Sequence, residues 1–271
     1  MKHAGTHSLQ DIASISERII QARESCKGLS EYPGLLPRNL ETAYCIQDLS
    51  MSKWSDRLVG WKVGGIPPHL QAEFDDTRLC GPIYASNVKH AISSEVVDMP
   101  VFEDGFAAIE AEFIAELGDV SSLPSSSITE QDIYSVINQM YIGVEIASSP
   151  IQRINDLGPV GPVSDFGNNS GMIVGKVVPN WRELDLSSIA VSVEIDHHLH
   201  GPTHAPAGLN GPAGAIQFLV ERLSDRGHKL APGTLVCTGA ITGVHDSNVG
   251  ARSKVVFDGL GEIELQLSAK N

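Results

Sequence analysis

Positive charge is scarce in this chain. Lys and Arg number 19 against 33 Asp and Glu, which gives a formal net charge of -14 over 271 residues. A protein so acidic is not a non-specific binder of nucleic acid or of an anionic membrane, because both need a dense positive surface. Cysteine is scarcer still. Cys26, Cys45, Cys80 and Cys237 are scattered with no C-x-x-C pair, so neither a disulfide framework nor a zinc knuckle is expected. No apolar run is long enough to span a bilayer. Residues 1–7 lead into an amphipathic pattern without the apolar stretch of a signal peptide, and the expectation is a cytoplasmic protein. Internal repeats and low-complexity tracts are also missing, as is a Pro/Ser linker long enough to divide the chain. We therefore expect one domain over 1–271.

What is present is the composition of an ordinary soluble globular protein, 42% hydrophobic and 19% charged. Leu9, Ile12, Ile15, Ile19 and Ile20 recur near helical spacing after Ser8, a suitable N-cap, and Asn39 can cap a second helix from Leu40 to Trp54. Two helices thus precede any strand, which points to an α+β fold with a helical amino-terminal region (1–57) packed on a β-rich core (58–271). Strands are expected at Arg57–Gly65, Phe106–Leu117, Met140–Ala147, Met172–Val178, Ile189–Ile195, Ala251–Phe257 and Gly261–Leu267, the last two joined across Asp258-Gly259. Ser121–Ser127 reads as a Ser-Pro loop. Thr129 can cap a helix ending near Gln139, with Asp132 as its capping-box carboxylate.

Four charged residues stand out in this pattern. Strand alternation puts Glu110 and Glu112 on one face of Ile109-Glu110-Ala111-Glu112-Phe113, where they are either ordinary solvated carboxylates or a pair sharing a hard cation. Glu145 is the sole charge in the apolar run Met140–Ala147, and a carboxylate there must be paired, protonated or coordinated. Lys62 stands between Gly60 and Gly64, either as an edge-strand lysine or with room for a ligand against the backbone. The polar loop Gly167-Asn168-Asn169-Ser170-Gly171 can aim donors at an anion, or serve as a plain turn. Asp196-His197-His198-Leu199-His200 reads as a hairpin end, because His197 faces away from His198 and His200 and no local three-ligand set forms.

Taken in order, Gly60-Trp61-Lys62-Val63-Gly64, Ile109-Glu110-Ala111-Glu112-Phe113, Gly143-Val144-Glu145-Ile146, Asn169-Ser170-Gly171 with Val174-Gly175, and Leu230-Ala231-Pro232-Gly233 with Thr238-Gly239 resemble the fumarylacetoacetate hydrolase superfamily. The branch they resemble is that of the 2-keto-4-pentenoate hydratases and 4-oxalocrotonate decarboxylases. The resemblance covers nearly the whole chain. It implies a mixed β-roll core and a divalent cation, Mg2+ or Mn2+, with Glu110, Glu112 and Glu145 as metal ligands, Lys62 as the catalytic lysine, and Asn169 and Ser170 as substrate-binding residues. The implied activity is that of a metal-dependent hydro-lyase acting on a 2-hydroxydienoate or 2-oxo-alkenoate. The alternatives are decarboxylation or tautomerisation of a related 2-oxo dioic acid, or a non-catalytic ligand-binding homologue. A small-molecule 2-oxo acid partner and a homo-oligomer are implied by the same resemblance. The chain departs from the branch at Arg78-Leu79-Cys80-Gly81, at Asp165-Phe166-Gly167 and around Ser149-Pro150. His69 lacks a Glu three residues on, so the carbon-carbon hydrolase activity of the superfamily is not expected.

Overall fold

The computed structural model describes residues 7–91, 95–124 and 127–271. The amino-terminal hexapeptide and Ser125-Ser126 of the Ser-Pro loop lie outside the described residues. The chain opens with α1 (Leu9–Ser25) and α2 (Leu40–Lys53). Ser8 and Asp11 form a reciprocal capping box on α1, and the Asn39 side chain accepts the Thr42 N–H at 2.9 Å to cap α2. Ile15 and Ile19 of α1 pack with Ile46 of α2 in a small apolar cluster of their own. The helical amino-terminal region is thus anchored by its own apolar contacts.

The next elements are β1 (Leu58–Gly65), α3 (Pro68–Phe74), β2 (Arg78–Tyr84), β3 (Val88–His90), β4 (Val97–Val101), β5 (Phe106–Leu117), α4 (Glu130–Val136) and β6 (Ile137–Ser149). They are followed by α5 (Val160–Ser164), β7 (Asn169–Val177), β8 (Val191–Ile195), β9 (His198–Thr203), α6 (Pro212–Asp225), β10 (Leu235–Cys237), β11 (His245–Asp246), β12 (Arg252–Phe257) and β13 (Gly261–Ala269). One mixed sheet runs β2-β1-β10-β5-β6-β7-β3, with β11 paired to β5, and a second runs β4-β13-β12-β8-β9. The long central strands of the first sheet, β5 and β6, are buried along almost their whole length, which is why their sequences read as near-continuous apolar runs. Among the described residues no helix is long and apolar enough to cross a membrane.

Three departures from the sequence reading have clear causes. The helix capped by Thr129 ends at Val136 rather than near Gln139, because Ile137 and Gln139 pair with Leu117 and Glu116 of β5. Tertiary pairing overrides helical propensity there. The last few residues of Arg78–Tyr84 read from the sequence as a turn entering a strand, but the whole segment is strand despite Pro82. β2 lies at the edge of its sheet, where a residue with no N–H is tolerated, and Pro100 in the edge strand β4 is accommodated in the same way. Finally, β3, β4, β11 and α5 are too short or too polar to show a periodicity, and the sequence reading missed them.

Candidate metal centre

The register of β5 against β6 sets Glu110 directly opposite Glu145, and Glu112 opposite Gly143. Facing carboxylates on adjacent antiparallel strands lie about 5 Å apart at Cβ, and Glu112 follows on the same face two residues along. One ligand oxygen from each of Glu110, Glu112 and Glu145 lies within 4.8 Å of the others, and all three residues are buried. Among the described residues this is the one group of three potential ligands gathered so closely.

Two of the three carboxylates, Glu112 and Glu145, are held from different directions. Glu112 Oε2 accepts the Gly239 N–H at 2.8 Å, from a segment that continues along β5 through the bond from Ile241 N to Ala111 O. Glu145 Oε1 accepts Asn169 Nδ2 at 2.9 Å and lies 3.5 Å from Lys62 Nζ. In the ladder β1 and β6 are separated by β10 and β5, about 14 Å in a flat sheet. The curl of the sheet brings the lysine to the carboxylates. Of the two glycines flanking Lys62, only Gly64 opens toward ligand space. A Cβ on Gly60 would lie 2.5 Å from the Leu235 carbonyl oxygen, so that glycine answers to close strand packing.

The buried charges perturb one another strongly. Burial, then the charge of Glu145, pushes the Glu110 carboxyl up to about 7, with Lys62 opposing. Burial and the charges of Glu145 and Glu110 drive Glu112 well above the carboxylate range, against Lys62 and the Gly239 N–H. Burial acts to discharge Lys62, but Glu145, Glu110 and Glu112 outweigh it and raise the ammonium above its ordinary range. One cation therefore faces three carboxylates. Glu112 Oε1 and Glu145 Oε2 are buried with no hydrogen-bond partner, a costly arrangement unless something else meets them. An all-oxygen donor set with orphaned lone pairs and an excess of negative charge fits a hard divalent cation.

The same electrostatics give a pH dependence. A carboxyl raised in the folded state contributes stability that is fully present below its unfolded value of 4.5 and is lost as pH rises through about 7. Chelator-treated protein is therefore expected to show a falling urea midpoint between pH 5 and 8, and Mg2+ is expected to flatten that slope. A midpoint that rises across this window without metal would contradict the charge distribution described here.

A cleft of about 440 Å³ opens onto Lys62 and Glu110, with Leu70, Leu79, Pro162 and Val244 among its apolar walls and Asn155 and Asn168 as amide donors and acceptors. The sequence-predicted residues divide accordingly. Glu110, Glu112, Glu145 and Lys62 come together. Asn169 points its amide at Glu145 rather than lining the cleft. Ser170 lies elsewhere, its hydroxyl 3.5 Å from the Pro100 carbonyl and 3.4 Å from Lys270 Nζ. Asn168, part of the donor loop but absent from the residues the resemblance implied, lines the cleft instead. Its φ of 62° is in the left-handed region that Asn tolerates, and the run Gly167-Asn168-Asn169 carried that signal. Of the histidines, His197 is fully exposed at the β8–β9 turn, while the His200 ring stacks on His245 with centroids 4.1 Å apart.

No family model matches the chain. Curated relatives include a 2-keto-4-pentenoate hydratase of Burkholderia vietnamiensis, 25% identical over 257 residues that cover 93% of this chain and 95% of the relative. A 4-oxalocrotonate decarboxylase of Pseudomonas putida is 25% identical over 136 residues, 50% of this chain and 51% of that protein. Among solved structures, the Pseudomonas putida G7 4-oxalocrotonate decarboxylase complexed with magnesium and adipate shares the fold at a TM-score of 0.78, with 20% identity over 97% of this chain and 99% of the other. These findings support the hydratase and decarboxylase branch that the motifs resemble, and the mixed-sheet fold that goes with it.

Proposed function

We propose that this chain is a metal-dependent hydro-lyase that hydrates a 2-hydroxydienoate or 2-oxo-alkenoate, as in 2-keto-4-pentenoate hydration. The observation that carries the reading is the buried trio Glu110, Glu112 and Glu145 with unpartnered oxygens, set beside Lys62 at the inner end of the cleft. Glu110, Glu112 and Glu145 would hold the cation. When bound, Mg2+ or Mn2+ supplies Lewis-acid stabilisation of negative charge developing on the 2-oxo group of the substrate. Lys62, held protonated by its three carboxylate neighbours, places a hydrogen-bond donor and a positive charge at the same end of the cleft. It would steady the enolate as the dienol rearranges to the conjugated ketone, and move a proton as water adds to the activated double bond. The apolar walls suit the hydrocarbon tail of the dienoate.

The test is turnover of 2-hydroxypenta-2,4-dienoate before and after metal removal. Loss of activity with chelator and its return with Mg2+ or Mn2+ is the expected result. Equal turnover after metal removal would sink the three-carboxylate reading. The fold shared with a 4-oxalocrotonate decarboxylase favours one second reading, decarboxylation of a related 2-oxo dioic acid, which carbon dioxide release from 4-oxalocrotonate would reveal.

A further inference from the structure

The loop that links α5 to β7 is an unusual piece of backbone. Phe166, Gly167 and Asn168 have φ of 51°, 69° and 62°, three consecutive residues in the left-handed region. Two of them carry side chains, and such a run persists only where its surroundings over-determine it. The surroundings are supplied largely by Arg23, in the last turn of α1, a residue otherwise explicable as an ordinary cation at a helix carboxyl end. Arg23 is buried, and its guanidinium pairs with the Asp165 carboxylate. It also donates to the Asp165 carbonyl at 3.1 Å, to the Asn169 carbonyl at 3.1 Å and to the Ser148 carbonyl at 3.5 Å. Its charge sits 4.9 Å from the centre of the Phe166 ring. The other Asp165 oxygen accepts the Ser149 hydroxyl at 2.5 Å. Both ends of the left-handed run are therefore tied to one side chain.

Two residues of the metal centre depend on where that run sits. Asn169, whose carbonyl Arg23 holds, donates its amide to Glu145 Oε1. That bond turns the carboxylate so that Oε2 is left without a partner. Gly167 packs against Gly81 and the Lys62 stem so closely that a Cβ there would lie 2.8 Å from Gly81 Cα and 3.1 Å from Lys62 Cδ. We propose that Arg23 is a positioning residue for the metal centre, clamping loop 165–169 so that Asn169 sets the orientation of Glu145 and Gly167 backs Lys62. The inference rests on the metal-centre reading above and gives the amino-terminal helix a part in it. A guanidinium is required because only its planar fork reaches the Asp165 carboxylate and three carbonyls at once.

The readout is the Mn2+ dissociation constant, measured by electron paramagnetic resonance on the full chain for the unmodified protein, Arg23→Met, Arg23→Lys, Asn169→Ala and the Arg23→Met/Asn169→Ala double variant. Residues that hold a metal ligand in place typically matter 10- to 100-fold. We expect a weakening of about that size for Arg23→Met and for Asn169→Ala. Arg23→Lys, which retains a charge for Asp165 but loses the fork, should fall in between. The double variant should be no weaker than the worse single variant, because on Mn2+ affinity both act through the Asn169–Glu145 bond, while the contact of Gly167 with Lys62 bears on the lysine and not on a metal ligand. The Ile15, Ile19 and Ile46 cluster keeps α1 attached independently of Arg23, so a purely structural role would move the denaturation midpoint and leave Mn2+ affinity unchanged. Folded Arg23 variants that bind Mn2+ like the unmodified protein, or a double variant whose losses simply add, would overturn the clamp. If Arg23→Met fails to fold, Arg23→Lys carries the same test. Failure of the unmodified protein to bind Mn2+ would overturn the metal-centre reading itself, and the clamp with it.

Discussion

Glu112→Gln is expected to weaken Mn2+ binding by more than about 100-fold, beyond the range for residues that only orient a ligand, while leaving the metal-free protein folded and no less stable. The two halves of this expectation have one origin. Glu112 is fully buried, and burial with the neighbouring charges of Glu145 and Glu110 drives its carboxyl far above the ordinary range. In the absence of a cation the ionised form is a liability. A neutral amide of the same shape removes the repulsion, and its oxygen can still accept the Gly239 N–H that now meets Oε2. The substitution also removes one of three anionic oxygens from a site whose hold on a hard cation depends on charge and ligand count. Glutamine is preferable to alanine because it leaves no cavity at the β5–β6 pairing. The measurement is a Mn2+ titration alongside urea denaturation in chelator. Mn2+ affinity within a few-fold of the unmodified protein would remove Glu112 from the ligand set.

The elements carrying this site were readable because their chemistry is local. Glu110 and Glu112 share a face by strand alternation alone, and Glu145 was conspicuous as a lone charge in an apolar run. What no local pattern contains is register. That Glu110 faces Glu145 across β5 and β6 is a pairing fact, and only the resemblance to a known branch supplied it in advance. The same limit explains Asn169 and Arg23. The Gly-flanked polar loop was legible as a source of hydrogen-bond donors, but not that its Asn169 amide turns inward to Glu145 while Asn168 reaches the cleft. Arg23 sits 142 residues from Asp165 in sequence, within a helix whose pattern accounts for it without any tertiary partner. The early end of α4 was misread for a related reason, since it depends on which strand lies alongside.

Lys62→Met separates binding from chemistry in the opposite sense from Glu112→Gln. Methionine nearly matches the length of the lysine stem and keeps the packing against Gly167, so the strand and the loop it supports stay in place. The ammonium that lies 3.5 Å from Glu145 is lost. In the metal-free protein this leaves three buried carboxylates with no internal cation, and loss of the opposing lysine charge pushes the Glu110 and Glu112 carboxyls further up. A divalent cation then meets no competing positive charge. Mn2+ affinity is expected to hold or to rise, and the stabilisation given by Mg2+ against urea to grow. Turnover of 2-hydroxypenta-2,4-dienoate is nevertheless expected to fall 10²- to 10⁴-fold, the usual scale for removing a positioned proton-transfer group. The loss should appear in kcat more than in KM, because the lysine is asked to meet charge that develops only as the dienol rearranges. A variant that binds Mn2+ normally and turns over within a few-fold of the unmodified protein would leave Lys62 with a purely electrostatic role in the fold, balancing Glu145, and would take it out of the chemistry.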